Sequence, residues 1–324
     1  GQLQINGAVS VSNPAGQILL QSDGGIDQNA ASVITANDLL VDVRHESTSL
    51  GGDVNLIGDN AVSRLAADIA MDGQTLAAAG GLITDNFGNS NFTFNNVVIL
   101  DIADLDYESS CGTDVEICGV SVDGNFTLSN DGDVTQSASV RVTGNALLTS
   151  TATICLTAGD CALLPGIGND NDFVGTVTAS GTTVEIVDIN SLTVGDIVAT
   201  DDIYLRAGDG EAGTLSLTGD LSTSAIDGQV LLQSDTAISQ IAGNSITTND
   251  LLIGSETIAD ALTASVTLNG ENAVARLSVR LDGNFTMINT IDLEVAELTY
   301  ASSCGTSETV CGLDLQGGNL ALTL

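Results

Sequence analysis

Apolar residues recur along this chain in short runs with a period of two. Ile18 and Leu20 stand in "GQILLQSDGGIDQ" (16–28), Phe126 and Leu128 in "GNFTLSNDGDVTQ" (124–136), and Val230 and Leu232 in "GQVLLQSDTAISQ" (228–240). That period sends alternate side chains to one face of a strand. Each run then meets a turn signal such as "SDGG" or "NDGD", where Asp and Gly accept tight-turn geometry. The pattern predicts short strands and turns throughout.

The same three segments overlay in one register. Gly16 and Gln28, Gly124 and Gln136, and Gly228 and Gln240 share one spacing, and a Leu follows each Gln at a constant interval, at Leu39, Leu147 and Leu251. Their starts predict internal repeats at about 16–123, 124–227 and 228–324, the last one partial. A longer interval relates Gly16 to Gly228, and the same interval relates "GDNAVSRL" at Gly58 to "GENAVARL" at Gly270. Two cysteine cassettes, "YESSCGTDVEICG" (107–119) and "YASSCGTSETVCG" (300–312), stand closer together than that. The shortfall of about 20 residues is the size of one coil of a stacked fold, and losing a whole coil leaves stacking intact. The expected fold is therefore all-β, one continuous parallel β-solenoid over 1–324 with about 20 residues per coil. The alternative is an array of tandem β-sandwich domains, which prefer aromatic core anchors.

Composition sharpens this. The chain has no Trp, 3 Tyr and 6 Phe, so its core is thin and built from Ala, Val, Ile and Leu. Six Arg and no Lys face 42 Asp and Glu, a formal charge of -36 that repels phosphate. Nucleic acid and anionic lipid are excluded as partners, because both need a basic footprint. No run approaches the roughly 20 apolar residues of a membrane span. The sequence starts at Gly1 without an initiator Met or signal pattern, so a processed form or a window into a longer chain is expected.

The six cysteines fall into near pairs, Cys111/Cys118, Cys155/Cys161 and Cys304/Cys311. Zinc wants closer pairs with histidines nearby, and His45 in "VRHEST" is the one histidine. Thiol redox chemistry wants C-x-x-C at a helix start. Three local disulfides, each pinning the base of a loop, remain the expectation. Such bonds persist outside the reducing cytosol, which points to an extracellular or cell-surface location.

Among 42 carboxylates, adjacent pairs such as Asp201 and Asp202 arise by chance, and no nucleophile elbow, P-loop or dinucleotide fingerprint occurs. No catalytic or cofactor-binding residue is expected. Arg64 and Arg276 occupy matching repeat positions, which suggests a repeated structural role. Asp-rich turns make Asp131, Asp133, Asp170, Asp172 and Asp209 candidate calcium ligands, although none fits an EF-hand loop or a nonapeptide calcium repeat. Asn91, Asn125 and Asn284 each open an "NFT", formally a glycosylation acceptor. Alternation turns Phe92, Phe126 and Phe285 inward, so a strand accounts for them equally. "CALLPGIGNDND" (161–172) is the expected irregular loop.

"GNFTLSNDGDVTQSASVRVTGNALLTS" (124–150) and "NDFVGTVTASGTTVEIVDINSLTVGDIVATDDIYLRAG" (171–208) resemble the repeat region of filamentous haemagglutinin-like exoproteins, the bacterial adhesins of two-partner secretion. The resemblance rests on degenerate strand repeats, and the cysteines depart from the family's cysteine-poor shafts. It implies a right-handed parallel β-helix serving as the shaft of a secreted fibre, adhesin or sheath. The partners are then further copies or repeats end to end, with surface glycans or neighbouring cells as adhesive targets. A β-helical polysaccharide lyase or hydrolase is the alternative function, and a calcium-dependent adhesive module a third.

Overall fold

The computed structural model describes residues 1–45, 52–71, 90–109, 111–157, 171–209, 212–254 and 265–324. No helix occurs among them. The chain forms two compact units, one of Gly1–Thr151 with Ala158–Gly175, the other of Ala152–Thr157 with Thr176–Leu324.

Within each unit, successive coils pair in parallel. Leu3–Ile5 pairs with Ile26–Gln28, while Val9–Ser10 and Gln17–Ser22 both pair with Ile34–His45, so a coil carries three strand segments. One inward column of the first unit runs Leu3, Ile26, Val54, Phe92, Phe126 and Ala146. Its counterpart in the second runs Leu215, Ile238, Val266, Phe285 and Leu320. Sandwich domains would pair antiparallel, whereas the antiparallel ladders among the described residues are two short hairpins. The fold is a β-solenoid.

Two expectations about the repeat change. The middle copy, at Phe126, does not share a face with the other two: Ile18 stacks on Leu39 and Leu65, and Val230 on Leu251 and Leu277, whereas Phe126 lies in the Phe92 column that matches Phe285. A strand and its Asp-Gly turn look alike on every face of a coil, so local sequence cannot tell one face from another. The longer repeat, from Gly16 to Gly228, is the one that keeps its face. Nor does the closer spacing of the cassettes reflect a lost coil. Val54 pairs with Phe92, and the equivalent Val266 pairs with Phe285 across half that length of chain. Both are single coil steps, so the extra residues belong to one step rather than to an additional coil, and 72–89 among them lie outside the described residues. Other steps differ as well, such as the short one from Val177 to Val194 and the longer one from Ile26 to Val54.

Inside the coils, Ile26, Val54, Phe92, Phe126 and Phe285 are fully buried, and the Phe92 and Phe126 rings stack at 5.5 Å. Polar ladders hold the coil corners. Asn60 Oδ1 accepts from Ile34 N at 2.9 Å and Gln28 Nε2 at 2.7 Å, while its Nδ2 donates to Gln28 Oε1, Leu56 O and Asn95 O. Asn272 and Gln240 repeat the arrangement around Ile246 N. The "NFT" asparagines also stitch coils: Asn91 Oδ1 accepts from Asn125 N, and Asn125 Oδ1 from Asn145 N.

Arg64 and Arg276 take the structural role anticipated for them. Arg64 Nε and Nη2 donate to Asp38 Oδ1 and Oδ2 at 2.8 and 2.6 Å, and Arg276 repeats the fork on Asp250 at 2.7 and 2.5 Å. Each arginine sits one coil beyond its aspartate in register. The Asp38 side chain is 3% exposed, so Arg64→Ala strands a buried carboxylate. We expect a loss of about 2–3 kcal/mol in urea denaturation, with Arg64→Lys restoring only part, because an ammonium cannot make the paired bonds.

Candidate functional site

Both cysteine cassettes fold as antiparallel hairpins, Asp104–Glu108 against Asp114–Cys118 and Glu297–Ala301 against Ser307–Cys311. Gly112 and Gly305, at φ of 85° and 94°, complete the turns, a conformation that side chains resist. Each hairpin interrupts a coil strand and lies on the outer face of the stack. The second can be followed across six coils, because Cys155, Glu185, Tyr204, Leu231, Leu252 and Ser278 form one outward column.

At the base, Ser278 Oγ donates to Val310 O at 2.6 Å. Leu298, Tyr300 and Val310 then pack on Leu252, Leu231 and Tyr204, with the two tyrosine rings 6.1 Å apart. Farther along, Tyr300 Oη donates to Glu185 Oε1 at 3.0 Å and Thr306 Oγ1 to Glu185 Oε2 at 2.7 Å. Glu185 is fully buried and each of its oxygens has a donor. At the tip, Cys304 is disulfide-bonded to Cys155, 149 residues earlier, with Cα atoms 5.7 Å apart. Five coil steps of ~4.8 Å span about 24 Å, and the strand Glu297–Ala301 with the turn that carries Cys304 crosses them, from the Ser278 contact at the base to the Cys155 bond at the tip. The hairpin is a strap, sized to its column.

The local disulfide pairs are therefore corrected. Cys304 bonds Cys155 rather than Cys311, and Cys155 is consequently not closed on Cys161. Cys118 is in a disulfide while Cys111 carries a free thiol, and Cys311 Sγ donates to Glu297 Oε2 at 3.4 Å. Geometry explains it: the first cysteine of each cassette sits in the turn and the second at the base, separated by an extended strand. A five-residue strand of ~3.3 Å per residue exceeds the Cα separation of about 4.4–6.8 Å that a disulfide allows. Cys161 lies outside the described residues.

Burial pushes the Tyr300 phenol far up, reinforced by Glu185 and Asp202, and burial raises Tyr204 to about 12. Both stay protonated donors. Burial likewise raises Asp202 from 3.8 to about 6; a hydrogen bond from the Gln229 amide opposes this, and Asp201, Asp227 and Glu185 add to it. A folded value above the unfolded one means that the stabilising contribution is complete below about pH 4 and lost as pH rises through about 6. Asp202→Asn should therefore raise the stability of the second unit by about 1 kcal/mol at pH 7, after allowance for solvent screening, and leave it unchanged at pH 4. Thermal unfolding at the two pH values checks this.

Residues 107–180 match the family described as "Repeats of unknown function (DUF5649)". No curated protein matches the chain. No solved structure matches it either. The matched stretch is a minor part of the chain, yet it contains the tip of the first hairpin together with Cys118 and Cys155.

Among the described residues, the calcium candidates do not converge. Asp209 is paired with Arg206 at 2.9 Å, Asp172 stands beside Arg141 in register, and Asp131 is exposed in a turn where its backbone N donates to Asn96 O. Asp133 is half-buried, and Asp170 lies outside the described residues, as does all of the expected loop at 161–172 except 171 and 172. Among the described residues, three acidic oxygens come within 4.8 Å of one another only at Asp106, Glu108 and Asp114, on the exposed face of the first hairpin. His45 closes the strand Ile34–His45 opposite Met71. What sequence reading missed was Glu185. Its signal was a charged residue inside the apolar run "VEIVDI", on the outward phase of a strand.

Proposed function

We propose that this protein is a non-enzymatic structural segment of an extracellular or cell-surface fibre, a shaft that continues end to end through further coils. One observation carries the reading: the elaborate polar features return with the coils. Asp38–Arg64 recurs as Asp250–Arg276, the Gln28–Asn60 network as Gln240–Asn272, and one hairpin as another. Catalytic groups are needed once, at a break in a repeat, whereas bracing is needed at every repeat. The Cys155–Cys304 bond supports an oxidising compartment. A charge of -36 makes flanks repel, which favours growth through the ends.

The resemblance to filamentous haemagglutinin-like shafts agrees with this role, and glycans or neighbouring cells are the targets an adhesive version would meet. Electron microscopy of unreduced protein, with and without a calcium chelator, tests it. We expect filaments with an axial repeat of about 4.8 Å. Shortening on chelation would add calcium as a joint. Discrete particles at every concentration would overturn end-to-end assembly, and cleavage of acidic polysaccharides by those particles would replace the shaft with an enzyme.

A further inference from the structure

The two hairpins are fastened alike at the base and differently at the tip. Gln17 Nε2 donates to Asp106 O at 2.7 Å, and its repeat counterpart, Gln229 Nε2, donates to Thr299 O at 2.8 Å. Ala66, Leu40 and Leu19 carry the first hairpin on three coils, as Ser278, Leu252 and Leu231 carry the second. Beyond those coils the second hairpin finds three more, which offer Tyr204, Glu185 and Cys155 to Tyr300, Thr306 and Cys304. The first hairpin has the same residues at the same places, Tyr107, Thr113 and Cys111. Its tip overhangs, however, because Gln17–Ser22 pairs, among the described residues, with Ile34–His45 on one edge only. Three coil steps make that overhang about 14 Å. Tyr300 is fully buried where Tyr107 is half-buried, and Thr113 and the Cys111 free thiol are exposed.

We propose that the tip of the first hairpin is a latch for a further stretch of the same coil stack, closing over an outward Tyr, Glu and Cys on three coils stacked against Gln17–Ser22, with Cys111 disulfide-bonded to that cysteine. The second unit defines this occupant, since there the same residues are seated on it. Register allows it too: "GQLQINGAVSVSNPAGQILLQSD" (1–23) repeats "GTLSLTGDLSTSAIDGQVLLQSD" (213–235), so the coils that precede Gly213 fit ahead of Gly1. Bond formation removes two protons and two electrons from the paired thiols, which pass to a disulfide-bearing oxidant that leaves as a dithiol. The latch rests on the end-to-end reading and adds to it a covalent cross-link between successive stretches.

The test is a full chain with a second copy of residues 152–212 placed ahead of Gly1, carrying Cys161→Ser in the added copy and folded under oxidising conditions. Formation of the resident Cys155–Cys304 bond controls for folding. We expect Cys111 to lose its reactivity towards an alkylating agent and to appear, in a non-reducing peptide map, linked to the added cysteine. Amide exchange at Tyr107 should slow by about tenfold or more, and should still slow with Cys111→Ser, because docking precedes the bond. Full alkylation of Cys111 beside an intact Cys155–Cys304 bond would overturn the latch. If exchange along Gln17–Ser22 slowed in that case, the coils would stack without it and end-to-end growth would stand. If it did not slow, both ideas would fall.

Discussion

Serine at both Cys155 and Cys304 should lower the stability of the second unit by about 3–5 kcal/mol. The bond joins positions with a sequence separation of 149, and constraint on the unfolded chain grows with loop length. A ring of about eight residues, such as each local pair would have closed, is worth roughly 2–3 kcal/mol on the same account. The cross-link also holds the hairpin tip over the buried Glu185. Without it, the Tyr300 and Thr306 hydrogen bonds and the packing on Tyr204 must keep that carboxylate covered. Guanidinium denaturation under oxidising conditions, with amide exchange along Val184–Asp188 and Asp202–Ala207, measures both effects. A loss below about 0.5 kcal/mol would mean that the strap holds by packing alone, and the sizing of hairpin to column would lose its significance.

Asn60→Asp is the second large effect. The substitution keeps shape and volume but exchanges a two-proton donor for an oxygen that faces Gln28 Oε1, Leu56 O and Asn95 O. Asn60 is fully buried, so no water relieves the clash of acceptors. The expected loss is about 3–5 kcal/mol at pH 7. Part of it should return near pH 4, because a protonated carboxyl regains one donor. Denaturation curves at the two pH values separate this from a cavity effect. Equal destabilisation at both would show that packing, and not donor count, is what Asn60 supplies. Asn272→Asp should behave in the same way in the second unit, since Asn272 Nδ2 donates to acceptors in equivalent places, Gln240 Oε1, Leu268 O and Ile288 O.

The contrast between these two sites shows what could be read from the chain. Asn60 and Arg64 stand in "GDNAVSRL" and Asn272 and Arg276 in "GENAVARL", a repeat visible without coordinates, and the partners Asp38 and Asp250 recur in "NDLL" at the same interval. Their shared role was open to reading because partner and residue recur together. Cys155 and Cys304 do not recur at one interval. Each belonged, on spacing, with a neighbour a few residues away, and the hairpin that separates Cys304 from Cys311 was not written in the spacing. Glu185 looked like one of many surface acids until the strap was seen lying over it.

The sequence by itself determined the class of fold. Alternating Val, Ile, Leu and Phe closed by Asp-Gly turns can bury one side of a strand and little else, and the full burial of Phe92, Phe126 and Phe285 follows from that alternation. Only the tertiary structure decided which coil lies on which. One coil step runs from Val177 to Val194 and another, far longer in sequence, from Val54 to Phe92, so a residue's stacking neighbour cannot be counted along the chain. A hairpin that crosses the coils then joins positions whose separation is the sum of several such unequal steps. The strap, its buried Glu185 and its disulfide therefore became visible only once the columns were in place.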